Sequence, residues 1–244
     1  MALSVSFVTF IRMSSNPWIN GITHLFFPRI CQACGHVLYN QEEVLCLKCL
    51  YHLPKTNFHF HEDNPVSQTF WGRVKLNSAS SFLFFNKGGR TQRLMHNLKY
   101  RGKKHVGVYL GKLYGKELKK SDLFSSIQVV VPVPMHPKKQ QIRGYNQSAL
   151  IAEGIAGSMH VEVQIDNLIK VSNTSSQTKK SRYNRWQNVK DVFQIKDEKL
   201  FEDKHILLVD DVITTGATIE ACAQQLVKIK GVTVSVASLA YAQG

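Results

Sequence analysis

The segment ILLVDDVITTGAT, residues 206–218, is the stretch that decides the fold of this chain. Its apolar beginning is followed by Asp210 and Asp211, and then by a turn rich in threonine and glycine that leads into a helical pattern. A short continuous apolar run is typical of a strand in a parallel sheet that is covered on both faces. Ligands of such sheets bind where strands end and helices begin. The segment therefore predicts a binding site at a strand–helix junction.

The residues at this junction suit two parts of one ligand. Gly216 allows close approach of the backbone, N–H groups at a helix start attract phosphate, and Thr214, Thr215 and Thr218 offer hydroxyl donors. The two carboxylates repel phosphate but accept hydrogen bonds from neighbouring sugar hydroxyls, so the pattern predicts a ribose 5-phosphate site. A dinucleotide fingerprint needs GxGxxG and a P-loop needs a lysine after the glycine, and neither is present. An acidic strand end capped by threonine would explain only part of the run.

Strand and helix patterns alternate along the rest of the chain, which implies a parallel α/β sheet flanked by helices. Strands are predicted at 79–85, 126–134, 161–165, 191–195, 205–209 and 232–240. Helices are predicted at 90–102, 105–120, about 146–156 and from the threonine-rich turn to Gly231. Three glycines four residues apart, Gly107, Gly111 and Gly115, indicate close helix packing. The segment 55–72 has no period and is expected to be a linker or an extended hairpin.

Four of the five cysteines form two CxxC pairs, Cys31 with Cys34 and Cys46 with Cys49. Two such turns can point four thiolates at one tetrahedral Zn²⁺, and a site with four protein ligands has no open position, so the zinc would be structural. Two disulfides are the alternative, and they would need an oxidising compartment. His59 and His61 are expected to lie outside the metal site.

The chain has 31 Lys and Arg against 17 Asp and Glu, a formal net charge of +14. This excess favours an anionic partner: a phosphorylated metabolite, a nucleic acid or an anionic membrane surface. Basic residues cluster near one tyrosine, Tyr100, and aromatic side chains elsewhere can stack on bases. The basic residues are Arg90, Arg93, Lys99, Arg101, Lys103 and Lys104, and the aromatic ones are Trp71, Tyr183 and Trp186. A solvated helix face is the alternative interpretation.

The first 25 residues are expected to be a poorly ordered leader, with Met13 as an alternative start. They lack a basic region and a small-residue cleavage site, so a weak signal peptide is the less favoured interpretation. Since no stretch approaches the roughly 18–20 apolar residues needed to span a bilayer, we expect a cytoplasmic protein without a transmembrane segment.

Residues 206–218 resemble the phosphoribosyl pyrophosphate motif of type I phosphoribosyltransferases. Within that superfamily the chain resembles the ComF family of competence-associated proteins, also called GntX-like. The likeness covers roughly residues 26–240. It includes the four cysteines and the segments LKYRG at 98–102, VPVPMHPKKQQIRGYNQS at 131–148 and SQTKKSRYNRWQNVKDVF at 176–193. The resemblance implies a zinc ribbon at 26–60 and a phosphoribosyltransferase-like domain at 70–244.

The resemblance also implies roles for individual residues. Asp210 and Asp211 would bind the ribose hydroxyls, and Thr214, Thr215, Gly216, Ala217 and Thr218 would bind the 5-phosphate. Val133, Pro134, Lys138 and Lys139 would bind pyrophosphate together with Mg²⁺. A mobile loop carrying Arg182 and Arg185 would close over the site and assist catalysis.

The resemblance implies a glycosyltransferase reaction in which magnesium-pyrophosphate is displaced from C1 of the ribose. No residue is an obvious nucleophile or general base, so the pattern fits both an enzyme and a protein that binds without catalysis. Family members are associated with DNA uptake in natural transformation, which implies competence proteins as partners. The alternative function is a non-catalytic competence factor that binds single-stranded nucleic acid. The amidotransferase label given to some relatives is not expected to apply, because no cysteine is left for a glutaminase domain.

Overall fold

The computed structural model describes residues 28–171 and 192–242. Its centre is a five-stranded sheet in the order β1-β7-β6-β2-β3, and every neighbouring pair is parallel. These strands are β1 (Ala79–Phe84), β2 (Val129–Pro132), β3 (Glu162–Val163), β6 (His205–Ile213) and β7 (Thr233–Tyr241). The predicted parallel α/β sheet is therefore confirmed.

The described ranges also contain two further strands, seven α-helices and three short 3₁₀ helices. The strands β4 (Leu168–Lys170) and β5 (Phe193–Ile195) form a separate antiparallel pair. The helices are α1 (Leu47–Tyr51), α2 (Pro65–Gln68), α3 (Arg90–Tyr100), α4 (Lys104–Leu118), α5 (Pro137–Arg143), α6 (Gln147–Met159) and α7 (Ala217–Leu226). Among these residues no helix is long and apolar enough to cross a bilayer.

Apolar side chains of the central strands alternate between two cores, one on each face of the sheet. Along β6, Leu207 and Val209 belong to the core shared with α3, α4 and α6, whereas Ile206 and Leu208 belong to the core shared with α7. The buried side chains of the cysteine segment, including Leu45, join the first of these cores. The cysteine segment therefore packs directly on the face of the sheet that carries α3.

Helices α4 and α6 approach each other closely through glycine, as the sequence predicts. A Cβ atom added at Gly111 would lie 2.3 Å from the carbonyl oxygen of Ile151, and one added at Gly115 would lie 2.7 Å from that of Ile155. On the facing helix, a Cβ at Gly154 would lie 2.2 Å from the carbonyl oxygen of Val108. No side chain fits at these positions, so glycine is required by the distance between the two backbones.

Several predicted boundaries are wrong. The last helix ends at Leu226 instead of continuing to Gly231, although Ile229 beyond it is still buried. The predicted strand 205–209 continues to Ile213, because β7 pairs with it beyond the aspartates. The basic segment after β2, where no helix was predicted, forms α5, whose first turn is capped by the His136 side chain.

Candidate functional site

The two aspartates lie at the carboxyl edge of the sheet, inside β6 and beyond the end of its neighbour β2. The last β2 residue, Pro132, pairs with Val209, whereas Asp210 pairs only on the other side, with Ser238 of β7. The aspartates therefore face a gap in the sheet, and the beginning of α6 fills part of it. This is the place where open parallel sheets bind ligands.

Asp210 receives two hydrogen bonds on one of its carboxylate oxygens. The Ser148 hydroxyl donates to Oδ1 at 2.9 Å, and the backbone N–H of Asp211 donates to the same atom at 2.8 Å. Burial, and then the negative charge of Asp211, raises the pKa of Asp210 to about 7, although both hydrogen bonds and the charge of Lys99 oppose this. A group that donates to the carboxylate would relieve part of this cost.

Lys99 supplies the positive charge beside the second aspartate. Its Nζ lies 3.0 Å from Oδ2 of Asp211, and only 22% of the Lys99 side chain and 15% of the Asp211 side chain are exposed. Sequence reasoning assigned Lys99 to a basic surface for nucleic acid and did not connect it with the carboxylates. The structure instead brings it into contact with Asp211.

The turn RGYNQS places Ser148 beside Asp210. The Asn146 side chain accepts a hydrogen bond from the Ser148 N–H at 3.1 Å and donates to the carbonyl oxygen of Val133 at 3.0 Å. The Tyr145 hydroxyl donates to the carbonyl oxygen of Leu98, next to Lys99. One turn thus ties the ends of β2 and α3 to the start of α6. Sequence analysis missed Ser148 as a site residue, and the only available signal was the motif in which it lies.

The turn after β6 ends in Gly216, which precedes α7 with a left-handed backbone (φ 73°). Thr214, Thr215, Ala217 and Thr218 are exposed around it. The first N–H groups of an α-helix have no partner within the helix, and no side chain caps them here. The predicted phosphate-binding residues therefore surround an uncapped helix start directly after the two aspartates.

The residues predicted to bind pyrophosphate follow β2. Val133 is buried and donates its N–H to the carbonyl oxygen of Val209 at 2.8 Å, so it adjoins the strand position before Asp210. Lys138 and Lys139 are exposed on the first turn of α5. Arg182 and Arg185, predicted to lie on a mobile loop, fall outside the described residues, as do Tyr183 and Trp186.

The four cysteines come together as predicted. Their Sγ atoms all lie within 4.8 Å of one another, with 3.7 Å between those of Cys34 and Cys46. All four are free thiols, which contradicts the alternative of two disulfides. Four ligands at about 2.3 Å from Zn²⁺ in a tetrahedron would be roughly 3.8 Å apart, so the cluster can hold a metal such as zinc.

Backbone donors favour a thiolate at Cys31, whereas burial raises the pKa of Cys46 and Cys49 in the metal-free cluster. Burial raises the pKa of Cys31, but the N–H groups of Cys46, Cys34 and Ala33 outweigh it and lower the pKa to about 7. A thiolate, and not a thiol, is the form that binds metal. His59 lies outside the four-cysteine cluster, as the sequence analysis expects, but it is buried in another part of the protein.

The fold and the strand–helix junction together define a type I phosphoribosyltransferase-like domain with an N-terminal four-cysteine ribbon. Residues 146–243 match the family described as "Phosphoribosyl transferase domain". This match begins at the cap of α6 and includes both aspartates and the turn after them. The predicted fold class is confirmed.

Within this class, the chain is similar to proteins named for competence and for DNA utilization. It is 29% identical over 146 residues to "DNA utilization protein YhgH" of Salmonella typhimurium, an overlap of 59% of this chain and 63% of that one. It is 31% identical over 116 residues to "Competence protein F" of Haemophilus influenzae, covering 47% and 50%. It is 34% identical over 110 residues to "Competence protein ComFC" of Bacillus subtilis, covering 45% and 42%. The chain spans less than two thirds of the length of these relatives.

Proposed function

We propose that this chain binds phosphoribosyl pyrophosphate, or a closely related phosphorylated ribose, at the junction of β6 and α7. The observation that carries the proposal is that Asp210 and Asp211 lie in the same short segment as an uncapped helix start, with only residues 212–216 between them and α7. Carboxylates suit neighbouring sugar hydroxyls, and a helix start suits a phosphate, so one short segment offers complementary groups for both parts of a ribose 5-phosphate.

The contacts around the aspartates support this assignment. Oδ1 of Asp210 already accepts from Ser148 and from the backbone of Asp211, which leaves Oδ2 as the oxygen for a ribose hydroxyl. Lys99 forms an ion pair with one carboxylate oxygen of Asp211. The pair makes the site less negative, so it repels an anionic ligand less. We expect Mg²⁺ to enter with the pyrophosphate of the ligand, near Val133 and Lys138.

The reaction that we propose for this site is transfer of the phosphoribosyl group. The bond between C1 of the ribose and the pyrophosphate oxygen breaks, its electron pair leaves with magnesium-pyrophosphate, and an acceptor forms the new bond to C1. The chain's own residues would position the sugar, neutralise the leaving group and exclude water. Arg182 and Arg185 remain our candidates for neutralising the leaving group.

Calorimetry tests the binding proposal directly. The full chain should bind phosphoribosyl pyrophosphate with Mg²⁺ saturably, and Asp210→Asn combined with Asp211→Asn should abolish that binding. Asp122→Asn is the matched control, because Asp122 is an exposed carboxylate far along the chain from the junction. Equal heats for the double variant and the wild type would refute the proposal.

A second candidate function is binding of single-stranded DNA during its uptake, together with competence proteins. The relatives named for competence and DNA utilization support it, and so does a groove of about 530 Å³ between the cysteine segment and α3. Basic side chains line this groove, and Tyr100, which is 66% exposed, lies on the same helix. The basic lining residues are Arg93, His96, Arg101 and Lys103.

Salt dependence tests this second function. Affinity for a single-stranded oligonucleotide should fall steeply with salt, because phosphate contacts release counterions. Arg93→Ala with Arg101→Ala should weaken binding and make the slope of log K against log salt smaller by about 1.4, or roughly 0.7 per lost phosphate contact. Lys119→Ala removes an exposed charge beyond the end of α4 and serves as the control. Equal losses in the variant and the control would contradict a role for the groove.

A further inference from the structure

The segment NPVSQTFWGR, residues 64–73, is not the linker or hairpin that the sequence analysis expects but a platform attached to the sheet. Asn64 caps α2 by accepting from the N–H groups of Val66 and Ser67. Its side-chain amide also donates to the carbonyl oxygen of Ala79, the first residue of β1, at 2.9 Å. The chain after Asn64 is thereby held at a defined position relative to the strands.

The platform touches the proposed phosphate-binding turn at Gly216. A Cβ atom at Gly216 would lie 2.8 Å from Cε1 of Phe70 and 3.0 Å from Cγ2 of Thr69. Phe70 is itself buried, so its ring cannot easily move aside. Together with the left-handed backbone at Gly216, this contact makes glycine necessary at the turn.

Arg73, at the end of the platform, connects it to the turn and to α7. Its Nη1 donates to the carbonyl oxygen of Thr215 at 2.8 Å and to that of Thr69 at 2.9 Å. Its Nη2 pairs with the carboxylate of Glu220 in the first turn of α7. The Gln224 side chain donates to the same glutamate at 3.2 Å, which helps to hold it in place.

The hydrogen bond to Thr215 determines the direction of a backbone donor. In a trans peptide the carbonyl oxygen and the following N–H point in opposite directions, and no peptide in the described ranges is cis. The Thr215 carbonyl points at Arg73, so the N–H of Gly216 points away from Arg73. Since glycine tolerates many backbone angles, this peptide could rotate if Arg73 were absent.

We propose that Arg73 is a positioning residue that fixes the Thr215–Gly216 peptide, so that the Gly216 N–H faces the 5-phosphate of the bound sugar. The inference rests on the proposed binding function and adds a residue that lies 142 positions from Thr215 in the chain. Glu220 holds the guanidinium in place, and Arg73 in turn neutralises a carboxylate near the phosphate. Arg73 itself need not touch the ligand.

The affinities of the full chain for two related ligands test the positioning role of Arg73. Arg73→Met removes the donors and keeps most of the side-chain length, and we expect it to weaken binding of phosphoribosyl pyrophosphate about 10- to 100-fold, the usual range for a lost charged hydrogen bond. For ribose 1-pyrophosphate, which lacks the 5-phosphate, the same substitution should change affinity less than about threefold. Arg73→Lys should recover part of the loss. Equal losses for the two ligands would overturn the inference, because a general structural defect would affect both.

A double variant separates orientation of the peptide from simple charge neutralisation. Glu220→Gln keeps an amide oxygen that can accept from Arg73, so it should lose less affinity than Arg73→Met. Arg73→Met with Glu220→Gln should remain as weak as Arg73→Met. Full recovery in the double variant would mean that Arg73 only neutralises Glu220, which would overturn the proposal.

A measurement on the ligand-free protein keeps this inference separate from the proposed function. The residual dipolar coupling of the Gly216 N–H reports the direction of that bond, and it should change in Arg73→Met while the couplings of β7 stay the same. An unchanged coupling would overturn the positioning role. A wild-type chain that binds no phosphorylated ribose would refute the proposed function, and the coupling would still decide whether Arg73 sets the peptide direction.

Discussion

Asp210→Asn should stabilise the free protein while weakening the proposed binding of a phosphorylated ribose. Both hydrogen bonds to Asp210 end on Oδ1, from Ser148 and from the backbone of Asp211, and the amide oxygen of asparagine can accept both. The substitution thus keeps these contacts and removes a charge that the site holds at a cost. Functional sites often contain such unfavourable groups, because ligand binding relieves them.

The size of the stabilisation follows from the pKa of Asp210, which is raised from an ordinary 3.8 to about 7. A carboxyl group with a raised pKa binds protons more readily in the folded protein than in the unfolded chain. The cost of its ionisation to the free energy of unfolding is therefore absent below pH 3.8, grows as the pH rises and is complete above pH 7. At about 1.4 kcal/mol per pH unit, the penalty is about 4 kcal/mol at pH 8 and about 1.6 kcal/mol at pH 5. The stabilisation gained by Asp210→Asn should be smaller than these values, because the substitution also removes the attraction between the carboxylate and Lys99.

Urea unfolding of the wild type and of Asp210→Asn at pH 8 and pH 5 measures this difference. We expect the variant to be more stable at both pH values, with a gain about 2 kcal/mol larger at pH 8. Asp211→Asn is the matched control and should gain much less at pH 8, because it relieves the repulsion on Asp210 but also removes the carboxylate that pairs with Lys99. A variant that is no more stable than the wild type at pH 8, or that gains equally at both pH values, would refute the reasoning.

Three further predictions concern the rest of the molecule. Gly111→Ala should cost about 1–3 kcal/mol in urea unfolding, since its Cβ would meet the backbone of α6, whereas Gly157→Ala, with open space around it, should be neutral or stabilising. The full chain should contain one zinc per molecule by metal analysis; Cys49→Ser should lose it and Cys222→Ala should keep it. Burial lowers the pKa of His59, so the free energy of unfolding should fall as the pH drops below about 6.5, where the unfolded chain binds a proton that the folded protein does not. In His59→Phe the free energy of unfolding should therefore change less between pH 7 and pH 5.

Local patterns in the sequence were sufficient for much of the fold. Apolar runs of the right length predicted the strands of the parallel sheet, and the helix predicted at 90–102 is α3, which ends at Tyr100, shortly before the left-handed backbone of Gly102. The end of α7 was predicted too late, because Ile229 continues the apolar spacing although the helix has already stopped at Leu226. Spacing shows which residues are buried, but a turn can bury them as well as a helix can.

By itself, the sequence determined the composition of the two clusters whose members lie close together in the chain. Four cysteines in two short turns can reach one another, and Asp210 lies near the end of the strand that leads into the turn before α7, so neither arrangement depends on distant packing. Only the tertiary structure decided which distant groups join the aspartates and the turn. Ser148, Lys99 and Arg73 lie 62 to 142 residues from the aspartates and from Thr215, which they contact, and their positions depend on how α6, α3 and the segment 64–73 pack on the sheet. No local period in the sequence records such packing, because it results from the buried contacts of whole elements.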